Sequence, residues 1–268
     1  MGVSLESPHG TPWWDSMAIW TVPGTDPLGP PGPPVAGLPC YVWAHVLNAG
    51  NTPVQNATVQ FYWANPGVGF DRTTATRIGS SYVSLCCPDK ADVLCLTPWV
   101  PAFVNAGHVC LVVEVFHPAL DPLPPGSAFR ASTDRHVAQR NLSVLAMTSG
   151  AFHFAFEVDN PLRIDREFTI RVRTATAEEL AATARGLGIP PPEHPGTLAE
   201  LAFSHQPCPR TEATTAEPPE IRVQVARRAR TGLSLIGRID GDAALLHVEQ
   251  LHDGSVVGGL SLLVVEAR

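Results

Sequence analysis

Lysine is almost missing from this chain of 268 residues. Lys90 is the single lysine among 18 basic residues, and arginine supplies the rest. Charge of either sign is thin, at 16% of residues, and the net charge of −7 argues against non-specific nucleic-acid binding. No apolar run approaches the roughly 20 residues that a membrane-spanning helix needs. The opening MGVSLESPHGTPWWDS lacks the basic and apolar blocks of a secretory leader. Cytoplasmic synthesis is therefore expected, with any export by a route that reads no such signal. A Gly-x-Ser-x-Gly elbow, a phosphate-binding loop and a dinucleotide fingerprint do not occur. No cofactor is expected, and phosphate-dependent chemistry has no support.

What the chain does have is alternation. Val42, Ala44 and Val46 interleave with Tyr41, Trp43 and His45; Val59, Phe61 and Trp63 interleave with Thr58, Gln60 and Tyr62. Two-residue periodicity in β-branched and aromatic residues marks half-buried strands. Asn48-Ala49-Gly50-Asn51-Thr52-Pro53 must turn the chain between them, and Asn65-Pro66-Gly67 ends the second strand. The stretch from Leu38 to Gly67 thus predicts a strand pair on which the first half is built.

Around this pair, residues 1–12 read as a loose arm and Asp15–Trp20 as a first strand. Trp13 and Trp14 read as a plug on one end of the fold. Pro23–Pro39 carries Gly-Pro-Pro-Gly-Pro-Pro and reads as an extended loop. Cys86–Cys95 reads as a loop, Val109–Val115 as a strand and His136–Ala146 as the closing strand of the first half. A break follows at Met147–Gly150. Beyond it, Phe152–Val158, Phe168–Val172, Ile221–Val225, Ala244–Leu251 and Ser255–Val265 read as strands. Asp159-Asn160-Pro161 should turn the chain after the first of them. Thr176–Glu179 is a capping box before a short helix near 177–187. Residues 189–219 read mostly as loop, with a helical turn over Leu198–Phe203. His252-Asp253-Gly254 is a hairpin signal, and Val256-Val257-Gly258-Gly259-Leu260 predicts a bulge or a close backbone approach.

Several of these segments carry a family likeness. Asn48-Ala49-Gly50-Asn51 followed by Val59-Gln60-Phe61-Tyr62-Trp63, then Gly107-His108-Val109-Cys110-Leu111 and His136–Asn141, resembles the CARDB-type domain, a bacterial immunoglobulin-like adhesion and spacer module. The likeness covers about residues 15–147 and implies a sandwich fold used for spacing or contact, without an active site. The expected fold class is all-β: two tandem immunoglobulin-like antiparallel β-sandwiches. Residues 1–147 form the first, with its Pro-rich loop, and residues 151–268 the second, with a short helical insertion.

Chemistry has few places to sit. Cys86, Cys87 and Cys95 could staple a loop by a disulfide, form a thiol cluster or stay free; as zinc ligands they lack a fourth partner at a workable spacing, unless His108 or Cys110 supplies it. Cys40, Cys110 and Cys208 complete the six cysteines. His108 beside Cys110, and the set His108, Glu114, His117 and Asp121, read first as ordinary polar residues. His247-x-Glu249-x-x-His252 departs from the zincin spacing and lies on a strand. Arg227, Arg228 and Arg230 read as a solvated basic turn.

No catalytic residue is expected, and no metal site. The sequence points to a non-catalytic structural, adhesion or assembly module that meets a protein partner, or another copy of itself, through loops or an edge strand. The competing reading is a carbohydrate- or metal-binding accessory domain. It would require exposed aromatics, with Tyr41, Trp43 and Tyr62 aligned on one sheet.

Overall fold

A computed structural model describes residues 2–5, 12–64, 71–102, 110–160, 162–206, 210–213 and 217–266. Arm residues 6–11, the Asn65–Gly67 turn, His108, Val109, Pro161 and Cys208 lie outside them.

The chain is all-β, with two antiparallel sandwiches in tandem. In the first, β3 (Cys40–Asn48) is the centre of one sheet. Along one edge it pairs in succession with β2 (Ile19–Pro23) and β1 (Val3–Leu5); along the other it pairs with β6 (Asp89–Leu94). The facing sheet runs β5 (Thr76–Leu85), β4 (Val54–Ala64), β7 (Cys110–Phe116), β8 (Val137–Arg140). Val42, Ala44 and Val46 from β3 meet Val59 and Phe61 from β4, and Leu111, Val113 and Val115 from β7, in one buried cluster.

This corrects the strand-pair expectation. β3 and β4 do not hydrogen-bond to each other; they face across the core from opposite sheets. Alternation states which side chains point inward, and it does so equally for a hairpin partner and for a strand stacked about 10 Å away. The Asn48–Pro53 segment is an arch. Its key is Asn48, fully buried, whose Nδ2 donates to Thr52 O at 3.0 Å and Cys86 O at 2.8 Å while its Oδ1 accepts from Gly50 N at 3.1 Å.

Four local expectations also change. Val3 and Leu5 form a strand with buried side chains, so the arm is anchored at its start. Of the expected strand over Asp15–Ala18 only a single bridge from Asp15 to Arg140 forms, with a turn at Met17 and Ala18, and the first long strand begins at Ile19. Part of the expected cysteine loop is β6, whose Val93 packs inward behind charged neighbours that hid the pattern. Leu198–Phe203 is strand, inside β12 (Thr197–Gln206), because pairing to strands on both sides overrides an apolar spacing that suits either structure.

In the second sandwich one sheet runs β14 (Glu220–Val225), β11 (Arg166–Thr174), β16 (Ala243–His252), β17 (Ser255–Glu266), β9 (Leu142–Met147). The other runs β10 (Ala151–Asn160), β15 (Ala229–Asp240), β12, β13 (Arg210–Ala213). Phe152, Phe154, Phe168, Phe203, Leu235, Leu246 and Leu262 fill the space between them. The helix α1 (Ala177–Gly186) starts at the expected capping box and lays Leu180 over Leu245 and Leu263, on the outer face of the first sheet. The β16–β17 hairpin turns at Asp253 and Gly254, both at positive φ. The expected bulge is at Val257, and the expected close approach is at Gly259.

The passage between the halves differs most. The stretch read as one closing strand divides at Asn141. β8 stays in the first sandwich, whereas β9 pairs in parallel with β17 of the second.

Candidate functional site

The two halves meet in a buried polar joint. Trp14, from the turn before β2, inserts against the outer face of β16 and β17, with its ring 6.5 Å from the His247 ring. Asn141 holds the crossing. Its N donates to Trp14 O at 2.7 Å, its O accepts from Ser261 N at 2.8 Å, and its Nδ2 donates to Gly259 O at 2.7 Å.

Charge is buried here too. Asp15 and Arg140 lie 3.8 Å apart, each about 95% buried or more, and Arg140 Nη1 also donates to Ile19 O. Burial pushes the Asp15 carboxyl above its usual range, against Arg140 and a hydrogen bond from Ser261. His247 Nδ1 is 2.9 Å from Ser261 Oγ, and its Nε2 is 3.6 Å from Glu179 Oε1. Burial, then Arg173, brings the His247 pKa down to about 4, although Glu179 pulls the other way. Glu179 in turn takes the Arg173 guanidinium and caps α1.

Serine, histidine and a carboxylate therefore stand in a row, as a hydrolase would need. Their geometry does not serve that purpose. Ser261 is fully buried, its hydroxyl is directed to Asp15, and the acid is beyond hydrogen-bond reach of the imidazole. The row closes the joint. Composition hid it, since Asp15, Glu179, His247 and Ser261 are far apart in sequence and only the sheet order brings them together.

A second feature lies on the outer face of the β6–β3–β2 sheet. Tyr41, Trp43 and His45 point outward from β3, all half-buried. Trp20 on β2 is opposite Trp43, and the rings stack at 5.9 Å with an 8° tilt. Trp43 Nε1 donates to Pro27 O of the Pro-rich loop at 3.0 Å. On the other side, β6 brings Asp92 opposite His45, with Oδ1 2.7 Å from Nδ1.

Of the three aromatics named from sequence, two belong to this face. Tyr62 does not. It is buried on the far side of β4, edge-on to Phe129 at 5.1 Å, with its hydroxyl donating to Gln60 and its pKa raised to about 12 by burial and Glu114. Trp20 takes its place in the row. Its partner across the strand could have been found only with the β2–β3 register.

The cysteines do not converge. The five described cysteines are free thiols: Cys86 and Cys87 are in the turn between β5 and β6, and Cys40, Cys95 and Cys110 are buried. Burial pushes the Cys40 pKa up to about 11 and raises those of Cys95 and Cys110.

The acidic and histidine set does not form either. Glu114 pairs with Arg72, at 2.5 Å. His117 Nδ1 accepts from two backbone N–H groups of its own turn. Asp121 meets Arg135 and His136 and accepts from Val3 N at 2.9 Å, which anchors β1. Among the described residues no cluster of three or more metal-ligating side chains exists, and no helix is long and apolar enough to cross a membrane. Arg227 and Arg228 are exposed in a turn, and Arg230 is neutralised by Glu157 and Asp159.

No family model matches the chain, and no curated protein does. Among solved structures, a red sea bream transglutaminase aligns at 11% identity and TM-score 0.25, over 94% of this chain and 31% of that one. The CupB6 tip adhesin from Pseudomonas aeruginosa aligns at 10% identity and TM-score 0.25, over 93% of this chain and 98% of the adhesin. The C-terminal domain of the Streptococcus agalactiae antigen I/II polypeptide BspA aligns at 7% identity and TM-score 0.25, over 92% and 99%. The chain spans about a third of the transglutaminase. Likeness at this level carries no argument about activity or partner.

Proposed function

We propose that this chain is a non-catalytic adhesion or assembly module, its first sandwich of the CARDB kind, which holds its two halves in a fixed relation and meets a protein partner or another copy of itself. The joint carries this reading. A flexible tether needs an exposed linker. Here one buried residue, Asn141, separates a strand of one half from a strand of the other, and Trp14 closes over the seam. Polar groups enclosed this way are costly if misplaced, so they favour one docking geometry. The sealed Ser261–His247 pair supports a role other than turnover. Contact with a partner falls to the loops at the far end of the first sandwich, the Asn48–Pro53 arch and the Cys86–Pro88 turn, or to the edge of β6, whose ladder has one partner strand among the described residues.

Small-angle scattering and cross-linking mass spectrometry on the native protein test this. The expected result is one rigid shape, unchanged between low and high salt, with cross-links to a partner or second copy at the arch, the turn or β6. Hydrolysis of any ester, peptide or glycoside in a broad panel, abolished by Ser261→Ala, overturns it.

A further inference from the structure

The outer face of the β6–β3–β2 sheet offers more than a spacer requires. Successive outward residues on a strand are about 6.7 Å apart, so Tyr41, Trp43 and His45 form a straight row. Trp20 widens the row at its middle. The Trp43 ring is fixed three ways: by the Trp20 stack, by the bond from Nε1 to Pro27 O, and by its place opposite Leu94 of β6. A ring already held in place loses little freedom on binding.

The His45 end of the row carries a polar pair. The His45 and Asp92 side chains are 32% and 55% exposed, and their mutual contact engages one atom of each. The second Asp92 carboxylate oxygen and the His45 Nε2 have no further ion pair or hydrogen bond among the described residues, at the end of the aromatic row.

We propose that this face binds a neutral polysaccharide. A pyranose ring presents a face of C–H bonds, which are positively polarised and suit the negative face of an aromatic ring. Its edge carries neighbouring hydroxyls, which suit an acceptor and a donor placed together. Tyr41, Trp43 and Trp20 supply the first element, and Asp92 with His45 the second. The net charge of −7 disfavours anionic polymers. The proposal goes beyond the spacer reading and stands apart from it, because it does not depend on whether the joint is rigid.

Affinity electrophoresis of the full chain through gels containing hydroxyethyl-cellulose, xylan, galactomannan or soluble starch tests it. At least one polymer should retard the protein. Tyr41→Ala and Asp92→Ala, both at outward positions, should weaken that retardation tenfold or more with melting temperatures near the parent's. Trp43→Ala should abolish it. Should Trp43→Ala fail to fold, the first two variants decide. No retardation by any polymer overturns the proposal, as does retardation kept by both Tyr41→Ala and Asp92→Ala, or capture by the same face of a proline-rich peptide in place of a polysaccharide. Loss of glycan binding with a rigid joint would sink this proposal alone; a loose joint with glycan binding intact would sink only the spacer reading.

Discussion

The indole of Trp14 occupies the space that a side chain on residue 259 would need. A Cβ built on Gly259 would stand 2.6 Å from Trp14 Cε2, far inside contact distance. The glycine-rich run in β17 is therefore the seat of the plug that joins the halves.

Gly259→Val should displace Trp14 and loosen the joint while leaving both sandwich cores intact. Overpacking of this kind costs about 1–3 kcal/mol. Denaturant unfolding should show a lower midpoint, and limited proteolysis should produce cuts near residues 12–18. A midpoint equal to the parent's would remove Trp14 from the joint.

Stability should fall on mild acidification through His247. Unfolded, this residue takes up a proton near 6.5; folded, it does so only near 4. Its contribution is therefore complete above pH 6.5 and is lost as the pH drops from 6.5 toward 4, by on the order of 2–3 kcal/mol. Asp15 has the opposite sign, since burial makes the folded chain hold its proton more tightly, so its contribution is lost as pH rises through the raised value. Thermal melts between pH 7 and 4 of Asp15→Asn, with and without His247→Gln, isolate the histidine as a difference. The slope should become clearly shallower once His247→Gln is added, the remainder belonging to other shifted carboxyls such as Glu114 and Asp159.

Phe61 is fully buried, whereas Trp63 is only partly buried at the margin of the same cluster. Phe61→Ala should cost about 3–5 kcal/mol and Trp63→Ala clearly less. Urea titrations that reverse this order would place the register of β4 two residues out, because residues 61 and 63 share one face of the strand.

In a Cys208→Ser background, an aromatic disulfide reagent at pH 8 should titrate Cys86 and Cys87 within minutes. Cys40, Cys95 and Cys110 should react only after unfolding, because they are buried and their thiols resist ionisation. Rapid labelling of Cys110 in the folded protein would contradict the burial of β7 on both faces.

Removing the Asn48 side chain should be costly for its size. Asn48→Ala strips partners from the carbonyls of Thr52 and Cys86 at once, and loss of such hydrogen bonds costs about 1–3 kcal/mol. Amide exchange should quicken in both the arch and the Cys86–Pro88 turn. A change confined to the arch would mean that the two loops are not coupled.

Much of the fold is readable from period and punctuation. Phe152, Phe154 and Val158, the Thr176–Glu179 box, the Asp253-Gly254 turn and the bulge at Val257 all follow from local chemistry, and each is where that chemistry puts it. What escaped is information that neighbours in sequence do not hold. Whether Val59 sits beside Val42 or across from it depends on which sheet β4 enters. The division at Asn141 depends on β17, more than a hundred residues later. On the aromatic face, Tyr41 and Trp43 share β3 and could be found together. Tyr62 could not be excluded without knowing that its side of β4 is covered by Phe129.

The single residue between β8 and β9 limits how this chain can be cut. Excision at the compositional break after Met147 would carry Leu142–Met147 away from the sheet they complete and bare a long edge of β17. An insertion at Asn141 would tear three backbone or side-chain tethers at once. Gene rearrangement could duplicate the pair or lose it, but it has no clean seam at which to shuffle one half, so the two should be inherited as one cassette.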